Sequence, residues 1–216
     1  MKDYKCIIFD CDGVLVDSEP LGNGVLVEMA NEQGATIDLD YAYRHFKGGS
    51  YQSVHDHIEK LVGKKLPTEF EPEYRRRSFE AFTNHLKPVE GIEDVLKNLK
   101  IPFCVASSGP RTKIRHNLRI AGLIKYFESN IFSCYDVGKW KPEPDVFLHA
   151  AETMGFLPKE CLVVEDTPIG LKAAKNGGFD VYGYADEHSY SLFAKEATGV
   201  FTHMDQLKLM LSRKTS

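Results

Sequence analysis

Residues 4–18 read YKCIIFDCDGVLVDS. Five of the first six are apolar and the stretch is β-rich, and the run stops abruptly at Asp10, Cys11, Asp12 and Gly13. A short apolar run closed by turn-forming residues predicts a buried strand. Similar runs recur at 102–106 (PFCVA), 161–164 (CLVV) and 180–182 (DVY). Patterns with helical spacing lie among the later runs, at 110–121, 143–154 and 168–176. Strand and helix in alternation predict an α/β fold, a Rossmann-like parallel sheet covered on both faces. Ligands of such sheets bind beyond the carboxyl ends of the strands, so the residues just after each apolar run carry the functional information.

The first two runs are far apart. The residues between them contain no convincing strand and read as helices at 21–33, 38–46, 51–61 and 68–85, punctuated by Gly34, Gly48, Gly49 and Gly63. This predicts a helical domain at 18–86 inserted into an α/β core made of 1–17 and 87–216.

The strand ends concentrate acids, hydroxyls and one lysine. Asp10 and Asp12 follow the first run; at i and i+2 of an extended chain they point the same way. Carboxylates that close repel, and one keeps its proton unless a cation offsets the charge. Ser107, Ser108 and Gly109 follow the second run and offer donors suited to phosphate oxygens. Lys141 precedes the 143–154 helix, and Glu165 and Asp166 follow the third run. An all-oxygen, carboxylate-rich set favours Mg²⁺ over zinc. Taken singly, each feature has an ordinary explanation: a solvated turn, a helix cap, a surface charge. Four acids, a hydroxyl and a lysine on one rim of one sheet do not.

The stretch from Asp10 to Ser18 resembles the signature of the haloacid dehalogenase-like hydrolase superfamily. Ser107, Lys141 with Pro142, and Glu165 with Asp166 resemble its further motifs, in order. The helical insert resembles the α-helical cap of the β-phosphoglucomutase-like branch. The likeness implies that Asp10 attacks phosphorus to form an aspartyl-phosphate and that Asp12 serves as acid and then base. It implies Mg²⁺ held by Asp10, the Asp12 backbone carbonyl, Glu165 and Asp166, and phosphoryl oxygens gripped by Ser107, Ser108 and Lys141. Ser108 stands where many members carry Asn. In the cap loop, Lys47 is the candidate for substrate contact, weighed against a solvated turn.

The resemblance also frames the alternatives. Dehalogenases and phosphonoacetaldehyde hydrolases of the superfamily lack the second acid, which Asp12 supplies here. Sugar-phosphate mutases of the branch carry a His where this chain has Gly22 and an Arg where it has Tyr51, so hydrolysis is expected over isomerisation. A non-catalytic binding protein on the same scaffold is a further alternative, opposed by a complete set of competent residues. Residues 103–110 and the segment from Tyr135 to Pro142 resemble members acting on sugar phosphates or sugar-acid phosphates such as 6-phosphogluconate.

Other features are plainer. Arg75, Arg76 and Arg77 fan around a helix and read as a solvated face neutralising Glu71 and Glu73. Trp140 beside Lys141 reads as packing in preference to a wall of the pocket. Cys6, Cys11, Cys104, Cys134 and Cys161 are odd in number and contain no C-x-x-C pair, which favours reduced core thiols over disulfides or zinc. With 43% apolar and 27% charged residues the composition is that of an ordinary globular protein. A net charge of −4 provides no basic field for nucleic acid. No apolar stretch has the length of a membrane span or a signal peptide. The expectation is a cytoplasmic monomer acting on a small-molecule phosphate ester.

Overall fold

The first apolar run forms β1 (Cys6–Phe9), buried along its whole length. In the computed structural model, which describes residues 3–46 and 51–212, four helices follow: α1 (Glu19–Glu32), α2 (Leu39–His45), α3 (Tyr51–Val62) and α4 (Phe70–His85). The chain continues through α5 (Ile92–Asn98), β2 (Phe103–Ser107), α6 (Arg111–Ile120), α7 (Ile124–Phe127), β3 (Ile131–Ser133) and α8 (Cys134–Val137). It ends with α9 (Asp145–Met154), β4 (Cys161–Glu165), α10 (Pro168–Asn176), β5 (Asp180–Tyr184), α11 (Tyr190–Glu196), β6 (Gly199–Phe201) and α12 (Met204–Ser212).

Among the described residues the strands form one parallel sheet in the order β3-β2-β1-β4-β5-β6. Phe9 lies opposite Val105 of β2 and Val164 of β4, so the chain leaves all three strands at nearly the same level. Because helices cover both faces, the central strands are continuous apolar runs without alternation. One face shows why cysteine suits them. Cys6, Ile8, Cys104, Ala106, Cys161 and Val163 meet Val146, Phe147 and Ala150 of α9 and Leu171 and Ala174 of α10 in one core. Small thiols there let the two helices sit close to the sheet. All five cysteines are free and buried.

The chain divides into two compact units. One comprises the stretches up to Val16 and from Pro88 onward, and the other runs from Asp17 to Lys87. The second unit is the inserted helical cap. Its core joins Val25, Leu26, Met29 and Ala30 of α1 to Ala42 of α2, Val54 and Ile58 of α3 and Phe70 of α4. Asp38 caps α2 by accepting from the Tyr41 amide at 2.8 Å. The arginine run of α4 is tied down along the helix. Arg75 pairs with Glu71, Arg76 with Glu73 and Glu80, and Arg77 with Glu73 and Glu32. No helix among the described residues is long and apolar enough to cross a membrane.

Candidate active site

The order of the strands puts β1 at the centre of the sheet, where strand order reverses, running to β2 and β3 on one side and to β4, β5 and β6 on the other. A crevice opens at the carboxyl ends of strands at such a switch point. Asp10 stands there, anchored by its amide donating to the Val164 carbonyl at 2.9 Å. Beyond it the chain turns tightly: the Leu15 amide donates back to the Cys11 carbonyl at 2.9 Å, and the Gly13 amide to the Val16 carbonyl at 2.8 Å. Gly13 has φ +85°, and a Cβ added to it would lie 2.0 Å from Asp166 Oδ2. Glycine is required there on both counts.

Lys141 Nζ donates to Asp10 Oδ1 at 2.5 Å and to Glu165 Oε2 at 2.7 Å. It also lies 4.7 Å from the centre of the Phe147 ring, within cation–π range. The second oxygen of Glu165 accepts from Thr167 Oγ1 at 2.7 Å and the Thr167 amide at 3.1 Å. Thr167 in turn caps α10, accepting from the Gly170 amide at 3.1 Å. Gly170 leaves the space the glutamate occupies, since a Cβ there would stand 1.9 Å from Glu165 Cδ.

Asp10, Glu165 and Asp166 are all buried, and each offers a carboxylate oxygen within 4.8 Å of the others. Lys141 pairs with two of them, Asp10 and Glu165. Burial pushes the Asp10 carboxyl up to about 7; Lys141 opposes the shift and Glu165 adds to it. Burial pulls Lys141 toward losing its proton, but Asp10 and Glu165 outweigh that and hold its pKa above the ordinary lysine value. The concentration of buried carboxylates and the all-oxygen donor set are what a hard divalent cation fits.

Ser107 ends β2 with its hydroxyl accepting from the Gly109 amide at 3.2 Å. Ser133 Oγ donates to the Gly109 carbonyl at 2.6 Å and fixes the same loop. Ser108 Oγ lies 3.9 Å from the Cys134 thiol. The hydroxyls of Ser107 and Ser108 therefore belong to a braced turn.

β1 ends at Phe9, and Asp12 lies near enough to Asp10 for its charge to add to the burial that raises the Asp10 carboxyl. The Asp12 carboxylate accepts from Lys113 Nζ at 2.9 Å and Asn117 Nδ2 at 3.2 Å, both on α6. Trp140 is half-exposed and packs edge-on against the exposed Tyr135 at 5.2 Å. Lys47 lies outside the described residues. The sequence reading also missed Lys113, Asn117, Thr167 and Gly170. For the first two a signal existed: at i and i+4 of the helix after the Ser107 loop, they share one helical face.

A family model for haloacid dehalogenase-like hydrolases matches residues 4–178. The chain belongs to this family. It is 34% identical to the 6-phosphogluconate phosphatase of Escherichia coli, over 96% of this chain and 94% of that one. Among solved structures, a haloacid dehalogenase-like protein from Agrobacterium tumefaciens matches with a TM-score of 0.90 and 28% identity, over 97% of this chain and 98% of that one. A family hydrolase from Deinococcus radiodurans, whose structure holds phosphate and sodium, matches with a TM-score of 0.84 and 28% identity, over 97% and 96%.

Proposed function

We propose that this hydrolase is a Mg²⁺-dependent phosphatase that cleaves a small phosphorylated metabolite through an aspartyl-phosphate on Asp10. The observation that carries the reading is the buried cluster of Asp10, Glu165 and Asp166, the first two paired with Lys141, at the switch point of the sheet. A carboxylate oxygen of Asp10 attacks phosphorus as the ester P–O bond breaks, and its electron pair leaves with the alcohol oxygen. Asp12 gives that oxygen a proton. Water then attacks the phosphoryl group and passes a proton to Asp12. The P–O bond to Asp10 breaks, and both carboxyl groups return to their starting states as alcohol and inorganic phosphate depart. Lys141, Ser107 and Ser108 hold the phosphoryl oxygens while charge redistributes. Asp10, Glu165, Asp166 and the Asp12 carbonyl would hold Mg²⁺, which supplies neutralisation of the charge between anionic nucleophile and anionic phosphate.

The substrate class follows from the relatives: a sugar phosphate or sugar-acid phosphate, with 6-phosphogluconate the first to try. Lys47, on the sequence argument, contacts its leaving group. Hydrolysis is favoured over isomerisation by Gly22 and Tyr51. Gly22 has no side chain to act on a proton. Tyr51 stacks on Tyr74 at 5.6 Å and offers no cation for a second phosphate.

The test is to supply phosphorylated metabolites with Mg²⁺ and follow inorganic phosphate, with β-glucose 1-phosphate plus a trace of glucose 1,6-bisphosphate as the mutase control. Phosphate release from a metabolite, with little glucose 6-phosphate from the control, supports the reading. Efficient isomerisation in the control overturns it.

A further inference from the structure

The partners of Asp12 carry an inference that rests on the phosphatase reading. Lys113 and Asn117 reach Asp12 from more than 100 residues away in sequence, and they engage different oxygens: Lys113 Nζ lies 2.9 Å from Oδ2, and Asn117 Nδ2 3.2 Å from Oδ1. Two donors on separate oxygens fix both the position and the plane of a carboxylate, which one donor cannot.

Asn117 is buried, with 1% of its surface exposed. Its amide nitrogen faces Asp12, while its Oδ1 is buried with no hydrogen-bond partner among the described residues. Turned over, the amide would set oxygen against oxygen. A buried amide kept with half its capacity unused is explained by the donor it presents to Asp12. Lys113 reads differently. Its side chain is 37% exposed, and so is 30% of Asp12's, so their ion pair adds little to folding. Its stem passes over the loop that holds Ser107. The Cβ position of Gly109 is 3.5 Å from Lys113 Cδ and 3.7 Å from Ser107 Oγ.

We propose that Lys113, together with Asn117, is a positioning residue for Asp12. The pair holds that carboxylate in place after it has protonated the leaving oxygen, so that it is aligned to take the proton of the water that attacks the aspartyl-phosphate. Lys113 thus acts on the second half of the reaction, through Asp12. Lys141 is the cation that acts at Asp10.

The experiment uses p-nitrophenyl phosphate, whose leaving group departs without needing a proton, so the first step hardly depends on Asp12. Lys113→Met and Lys113→Arg are compared with wild type by stopped flow in Mg²⁺. The Met variant should release nitrophenolate in a burst approaching one per active site. Steady turnover should then be slower than wild type by about 10- to 100-fold, the range for a misplaced catalytic group. Its KM should be unchanged or lower, because the phosphoenzyme accumulates. The Arg variant should recover most of the steady rate, and both should melt close to wild type. Turnover of Lys113→Met within twofold of wild type overturns the proposal. So does a raised KM with kcat retained, which would make Lys113 a phosphate ligand, or a slowed rate without a burst, which would place the defect in the first step. Asp10→Asn is run alongside. If it turns over, the phosphatase reading itself fails; if it is dead while Lys113→Met behaves as wild type, only the present inference fails.

Discussion

Gly170→Ala sets two physical expectations against each other. Gly170 is the third residue of α10, and alanine is a better helix former than glycine by up to about 1 kcal/mol. On propensity alone the substitution stabilises. The structure reverses the sign. The added Cβ would lie 1.9 Å from Cδ of Glu165 and 2.2 and 2.3 Å from its two carboxylate oxygens. Gly170 cannot retreat easily, because its amide is held by the Thr167 cap at 3.1 Å. The carboxylate must move, and in moving it gives up Lys141 at 2.7 Å and the Thr167 hydroxyl at 2.7 Å. Breaking a buried ion pair from one side costs about 3–5 kcal/mol. Net of the helix gain, the protein should lose about 2–4 kcal/mol. For a chain of this size, each kcal/mol lowers the melting temperature by about 2–4 °C, so the drop should be about 4–16 °C. Thermal unfolding followed by circular dichroism in EDTA reads this without help from metal. A melting temperature equal to or above wild type would refute the claim that Glu165 is confined by Gly170.

Asp10→Asn should abolish turnover with an unchanged circular dichroism spectrum, since an amide cannot form the acyl phosphate; Asp12→Asn should lose about two to four orders of magnitude. EDTA should stop turnover, Mg²⁺ should restore it and zinc should not, as measured by phosphate release. Asp10, raised by burial to about 7, binds its proton more tightly folded than unfolded. Its contribution is present below the ordinary carboxylate pKa and is lost as pH rises through about 7. On this account the melting temperature of metal-free protein should fall between pH 5 and pH 8 by more than that of Asp10→Asn, and Mg²⁺ should stabilise most at the upper end. Lys47→Ala should impair turnover of the physiological ester far more than of p-nitrophenyl phosphate, and equal effects on both would return Lys47 to a solvated turn.

By itself the sequence determined the central sheet and the chemical character of its rim. β1, β2 and β4 are buried on both faces, so each had to be an apolar run, and the polar residue ending or following each run had to stand at the carboxyl edge. Asp10, Ser107, Glu165 and Asp166 were legible for that reason, as was the helical insert, whose long periodic segments contain no strand. Only the tertiary structure decided the rest. β3 and β6 are three-residue edge strands, too short to show a pattern, and exist because a neighbour supplies their hydrogen bonds. The sequence placed Asp12 near Asp10, but the donors that hold its carboxylate, Lys113 and Asn117, come from a face of α6 more than 100 residues away. Gly170 carries no local signal of its role, which comes from the fold bringing it against Glu165. Local pattern specifies which residues are buried and where strands end. Which side chain meets which depends on contacts between distant segments that no local pattern contains.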